Sequence, residues 1–116
     1  MGPLRAFHGE VVSADASLGV AFTLYLEGGV VAYALKATER IEISDINILR
    51  SVSGAAGVFL ATDADGARVW KGHVLGLAAP AACHLQTPHL GPLGVTPVLI
   101  AAAGDIAAII HGHIWP

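Results

Sequence analysis

The chain has 116 residues, of which 54% are hydrophobic and only 13% are charged, and its formal net charge is −3. Soluble domains usually carry about 25% charged residues, so we expect part of this surface to lie against other protein. The six Lys and Arg residues are scattered, which argues against the clustered basic patch of a nucleic-acid-binding protein. No apolar run reaches the roughly 18 residues of a membrane span, and the first residues have no signal-peptide core.

The first third of the chain predicts three strands. Leu4–Asp15 reads as an edge-like strand, and Val20–Leu26 alternates apolar and polar residues, as a strand with one buried face does. Gly28-Gly29 follows and suits a type I′ turn. The segment Val30–Lys36 then predicts the return strand of a β-hairpin.

The middle of the chain predicts three more strands. In Arg40–Leu49 the isoleucines change parity after Ile43, so we expect a bulge or bend near Ser44-Asp45 that could let this strand serve two sheets. The small residues at 51–57 predict a connection, followed by a strand at Val58–Thr62. The turn at 63–66 then leads into a strand at Ala67–Leu77.

The last third is richer in proline. Ala78–Gly94 contains three prolines and therefore cannot lie in the middle of a sheet, although Ala82–Gln86 can form a short strand. Thr96–Ala102 and Ile106–Trp115 predict the closing strands. The last of these is apolar on both faces, which favours a central or interface strand. One face carries Ile106, Ala108, Ile110, Gly112 and Ile114, and the other carries Ala107, Ile109, His111, His113 and Trp115.

These elements predict an all-β fold: one antiparallel β-sandwich domain spanning residues 1–116, jelly-roll-like, with roughly eight strands and no helix. A single cysteine, Cys83, rules out an intramolecular disulfide. No sequence motif indicates a catalytic residue or a cofactor, so the sequence predicts a protein that is not an enzyme.

Two alternatives rest on particular side chains. His111 and His113 lie two residues apart on one strand face and could bind zinc, copper or iron, as in a cupin-like metal enzyme. A cupin follows such a pair with a glutamate, however, and this chain ends three residues after His113. The second alternative is a carbohydrate-binding module, in which Trp70, Trp115 or the tyrosines Tyr25 and Tyr33 stack against sugar rings.

The run from Phe7 to Trp115 resembles small jelly-roll accessory proteins of tailed-phage virions, such as head decoration, head fibre and tail-associated subunits. The resembling features, in chain order, are His8-Gly9, the alternating strand Val20–Leu26, ERIEISDINI at Glu39–Ile48, Asp65-Gly66, and GDIAAIIHGHIW at Gly104–Trp115. The resemblance implies a TNF-like trimer bound to a capsid or tail surface, without catalysis.

The sequence therefore predicts a structural subunit of a virion that forms a homo-oligomer, with a trimer favoured, and attaches to a capsid or tail protein. Its location would be the virion, assembled in the host cytoplasm, with neither nucleic acid nor membrane as partner. The predicted interface lies on the last strand and comprises Ile106, Ile109, Ile110, His111, His113 and Trp115.

Overall fold

A computed structural model describes the backbone at residues 4–13, 19–50, 53–61, 68–76, 81–101 and 105–116, and the side chains of these residues except 12–13, 53–61, 68–76 and 81. The described residues form strands and no helix, and none of them forms a helical segment suited to crossing a membrane. The strands are β1 Arg5–Ser13, β2 Val20–Ala21, β3 Thr23–Leu26, β4 Arg40–Arg50, β5 Ser53–Ala61, β6 Arg68–Gly76, β7 Ala81–Leu90, β8 Val98–Ala101 and β9 Ile106–Trp115.

The strands form two antiparallel sheets whose order is that of a jelly roll. One sheet has the order β3-β1-β9-β4-β7 and the other has the order β2-β8-β5-β6. The first strand pairs with the last, β2 pairs with β8, β4 pairs with β7, and β5 pairs with β6. Such nested pairing is what results when one long hairpin wraps around a core. The predicted all-β sandwich is therefore confirmed.

The segment predicted as one strand at Val20–Leu26 is divided between the two sheets. Its first part, β2, pairs with β8, and its second part, β3, pairs with β1. Phe22 lies between them, fully buried, and its amide donates a hydrogen bond to the carbonyl of Pro97. The sequence analysis allowed a bent β4 to serve both sheets. Among the described strands, β4 pairs only within the five-stranded sheet.

The core lies between the sheets and is built by side chains of alternating parity, as the sequence predicted. On β9 the residues Ile106, Ile110 and Ile114 are fully buried. On β4 the buried positions are Ile41 and Ile43, then Ile46 and Ile48. Burying a side chain of this size contributes about 1.5–3 kcal/mol, so these two central strands supply much of the stability of the sandwich.

The predicted bulge is confirmed at Ser44. Ile43 pairs with Gly112 and Asp45 pairs with His111, so Ser44 is an extra residue in β4 without an opposite partner. The bulge keeps the isoleucines on both sides of it directed into the core. It also brings the carbonyl oxygen of Glu42 so close to Gly112 that a Cβ at this position would overlap with it.

The predicted return strand after Gly28-Gly29 is not formed. The amide of Gly29 donates to the carbonyl of Leu26, and only Gly28 has a positive φ, so the turn is centred on Glu27-Gly28 and is not of type I′. The segment 30–35 makes one isolated bridge, between Leu24 and Tyr33. Val30 and Val31 are 90% and 79% exposed. The return strand does not form because tertiary contacts hold Tyr33: polar side chains from outside the predicted hairpin bind its hydroxyl.

A buried carboxylate, Glu39, organises this region. Its side chain accepts hydrogen bonds from the Tyr33 hydroxyl (2.6 Å), the Arg5 guanidinium (2.6 Å) and the Lys36 amide (2.9 Å). Burial alone would raise the pKa of Glu39, but these hydrogen bonds and the charge of Arg5 outweigh it and hold the pKa below its ordinary value. Burial, together with the Glu39 hydrogen bond, raises the pKa of the Tyr33 hydroxyl.

Three further predictions are corrected by the topology. β1 was expected at an edge, but it lies between β3 and β9. β5 begins at Ser53, within the segment predicted to be a connection. β7 extends to Leu90 and includes Pro88, which is compatible with its edge position because an edge strand has one side without sheet partners.

Candidate functional site: the outer face of the five-stranded sheet

The outer face of the five-stranded sheet carries a continuous row of polar side chains. Pairing places Tyr25 opposite His8, His8 opposite His111, His111 opposite Asp45, and Asp45 opposite His84. Each of the five strands thus contributes one residue at the same level. We call Tyr25, His8, His111, Asp45 and His84 the histidine row.

Neighbours in the histidine row are in contact or close to it. The rings of His8 and Tyr25 are stacked with centroids 5.0 Å apart, and the rings of His8 and His111 are tilted with centroids 6.2 Å apart. On the other side, Nδ1 of His84 lies 2.8 Å from Oδ1 of Asp45. This hydrogen bond, with a smaller contribution from the Ser44 hydroxyl, lowers the pKa of Asp45.

Carboxylates accompany the imidazoles throughout this face. Glu10 Oε1 lies 3.1 Å from His8 Nε2, and Glu42 Oε1 lies 3.4 Å from His113 Nδ1. The second oxygen of Glu42 accepts a hydrogen bond from the Trp115 indole at 3.3 Å. Three of the four histidines on this face therefore have a carboxylate oxygen at hydrogen-bond or ion-pair distance. If the imidazole of such a pair is protonated, its positive charge lies beside the negative charge of the carboxylate.

Next to the histidine row the face is apolar. Ile109 on β9 is 40% exposed and Leu49 on β4 is 39% exposed. β9 is the central strand of the sheet and β4 lies beside it. Ile109 and Leu49 occupy diagonal positions on these two strands, because Asn47 pairs with Ile109 and Leu49 pairs with Ala107. These two side chains form a small apolar area at the middle of a sheet face that is otherwise polar.

Two shallow depressions flank His111. One, of about 360 Å³, lies towards β1 and the turn at Glu27-Gly28, and the other, of about 420 Å³, lies towards β4 and β7. The face is therefore uneven enough to accept protruding side chains.

The predicted interface residues divide between the two faces of β9. Ile109, His111, His113 and Trp115 lie on the outer face, as predicted. Ile106 and Ile110 do not, because both are fully buried in the core of this chain. Alternation along the strand is the reason, since residues separated by an odd number of positions point to opposite sides.

The predicted sugar-stacking residues do not form one platform. Tyr25 lies on the outer face with its ring against His8, whereas Tyr33 packs against the core with Arg5 over its ring, 5.0 Å from the centroid. The backbone of Trp70 pairs with Leu60 in the other sheet, and its side chain lies outside the described residues. Tyr25 and Tyr33 thus offer no shared surface to a sugar.

The predicted metal ligands, His111 and His113, lie on the same face as expected. Within the described part of the chain, no group of three His, Cys, Asp or Glu side chains is arranged to hold a metal ion. The segment 63–66, which the sequence predicts to be a turn, lies outside the described residues.

His89 differs from the other described histidines because it turns inward. Its Nε2 is buried and has no hydrogen-bond partner among the described residues. It borders a pocket with Ile41, Ile43 and Pro97. The free space in this pocket is about 10 Å³, which is at the lower limit for one water molecule, so the pocket cannot admit a larger ligand.

Sequence reasoning missed most of this site. His8, Glu10, Glu42, Asp45 and His84 were not predicted to lie near His111. The signal that could have found them is the nested pairing of a jelly roll, which brings the first and last strands together and so places His8 beside His111.

No family model matches the chain, and no curated protein and no solved structure matches it.

Proposed function

We propose that the chain is a non-enzymatic structural subunit of a virion, a capsid decoration, head fibre or tail accessory protein, that assembles with copies of itself through the outer face of the five-stranded sheet. A trimer is the favoured assembly. The observation that carries the proposal is the pair Ile109 and Leu49, which lie exposed on the central strand of that sheet and on the strand beside it. An inner strand face with apolar residues favours contact with protein.

The low charge of the chain supports the same proposal. With 13% charged residues and a jelly-roll sandwich of only 116 residues, a large share of the surface is uncharged. Contact with sister subunits removes such surface from water at a gain of about 25 cal/mol per Å² of apolar area. The resemblance to phage accessory proteins adds the expected setting, which is the surface of a capsid or tail.

The surface for attachment is proposed to be one end of the sandwich. Among the described side chains, the exposed large apolar ones other than Ile109 and Leu49 belong to segments at the end where β1 begins and β3, β7 and β9 finish. They are Leu4, Val30, Val31, Leu90 and Leu93. Leu90 pairs with Glu42 and so lies at the margin of the outer face, whereas Val30 and Val31 lie in the loop after β3 and not on a strand of the sheet. We propose that this loop contacts a capsid or tail protein while the outer face contacts sister copies.

The test is the mass of the purified protein by light scattering, compared with two variants. We expect the wild-type chain to have the mass of several copies and Ile109→Lys to have the mass of one, because a lysine would be buried without a partner in the interface. Val30→Lys is the matched control: it is also an exposed, β-branched apolar residue, and its variant should keep the mass of the wild type. A wild-type monomer at high concentration would contradict the proposal.

A further inference from the structure

The outer face of the five-stranded sheet combines its two exposed apolar side chains with several carboxylates and imidazoles. Its carboxylates are Glu10 on β1, Glu42 and Asp45 on β4, and Glu27 in the turn beside the first depression. Arg40, opposite Trp115, adds a fixed positive charge. With neutral imidazoles these five groups near the histidine row therefore carry a net charge of −3.

Four imidazoles on the same face can reverse this excess. They are His8 on β1, His111 and His113 on β9, and His84 on β7. Three of them already lie 2.8–3.4 Å from a carboxylate oxygen, so protonation turns each pair into an ion pair with no net charge. Histidine ordinarily changes its charge between about pH 5 and pH 8, and the fourth imidazole, His111, faces Asp45 and the ring of His8.

We propose that copies of this chain associate through the outer face with uptake of protons by the imidazoles of the histidine row and of His113, so that association tightens as the pH falls. The inference rests on the proposed function, since it assigns a regulation to the same surface. When the imidazoles are neutral, each copy brings three excess negative charges to the interface, and like charges oppose contact. When three of the imidazoles are protonated, the face has no net charge, and the apolar contacts of Ile109 and Leu49 act without opposition.

The test is the dissociation constant of the assembly, measured by sedimentation equilibrium between about pH 8 and pH 6, the range in which histidine ordinarily titrates. By linkage, each proton taken up on association strengthens it about tenfold per pH unit. Added salt at the high-pH end should also strengthen association, because salt screens repulsion between exposed charges.

A variant in which the three paired carboxylates are neutralised distinguishes the proposed self-association from its proposed dependence on pH. Glu10→Gln, Glu42→Gln and Asp45→Asn together should associate at the high-pH end as tightly as the wild type does at the low-pH end. The association of this variant should weaken as the pH falls, because the protonated imidazoles then bring unpaired positive charge to the interface. A wild-type assembly with one dissociation constant at all these pH values would overturn the inference and leave the proposed function standing. A wild type and a folded triple variant that are both monomeric throughout would overturn both.

Discussion

Glu39 is the residue on which the irregular part of the fold depends. It is 4% exposed and is the one buried polar or charged side chain among the described residues. It connects Arg5 at the start of β1, Tyr33 in the loop and its own position before β4. Its carbonyl also accepts a hydrogen bond from the amide of Gly94, which ties in the proline-rich segment.

Replacing Glu39 with alanine should therefore lower the free energy of unfolding by about 3 kcal/mol, because it leaves Arg5 and Tyr33 without their acceptor. Chemical denaturation measures the change. Glu27→Ala, at an exposed glutamate, is the control and should change the stability by less than about 0.5 kcal/mol. Equal effects of the two substitutions would show that the buried network does not stabilise the loop.

The lowered pKa of Glu39 also predicts how stability depends on pH. A carboxyl whose pKa is lower in the folded state stabilises the protein fully above its unfolded pKa, and this contribution is lost as the pH falls through the folded pKa. The wild type should therefore lose stability from about pH 4.5 downwards. In Glu39→Gln this part of the loss should be absent, which acid titration followed by circular dichroism can measure.

Gly112 is the second residue with a decisive role, because the bulge at Ser44 leaves no room for a side chain there. Gly112→Ala should destabilise the fold by about 2–4 kcal/mol, since β4 and β9 must move apart. Gly91→Ala is the matched control: a Cβ there would lie at ordinary contact distance, 3.4 Å, from the Ile41 carbonyl. A thermal melt in which both variants behave alike would contradict this account of the bulge.

At the scale of the element, β9 separates the core from the proposed interface within two adjacent residues. Ile110 is fully buried and Ile109 is 40% exposed. Ile110→Ala should cost about 2–5 kcal/mol of stability, as a large-to-small change in a core does. Ile109→Ala should cost much less in the isolated subunit and should weaken association. Denaturant unfolding at low and high protein concentration distinguishes these effects, and a larger loss for Ile109 in the monomer would contradict the assigned faces.

The same strands show what the sequence could predict. The alternation of β9 and the bulge in β4 were predictable, because a period of two and a change of its phase are local properties of the chain. The return strand after β3 was not, because Tyr33 is drawn to Glu39 and Arg5, and that contact depends on tertiary structure. The histidine row escaped prediction for a similar reason, since it needs the register of all five strands.

At the scale of the whole molecule, the jelly roll places two different surfaces on one small sandwich. The outer face of the five-stranded sheet joins an apolar centre to paired imidazoles and carboxylates. The end of the sandwich carries Val30 and Val31 on a loop. The proposed function assigns the first surface to sister copies and the second to a capsid or tail protein, and the low charge of the chain is consistent with both.

Hydroxyl-radical footprinting across a range of protein concentrations tests most directly whether sister copies cover the outer face. If they do, labelling of Ile109 and His111 should fall as the concentration rises, while labelling of Val30 and Val31 should remain constant. Labelling of Ile109 and His111 that stays the same from dilute to concentrated solution would contradict the account.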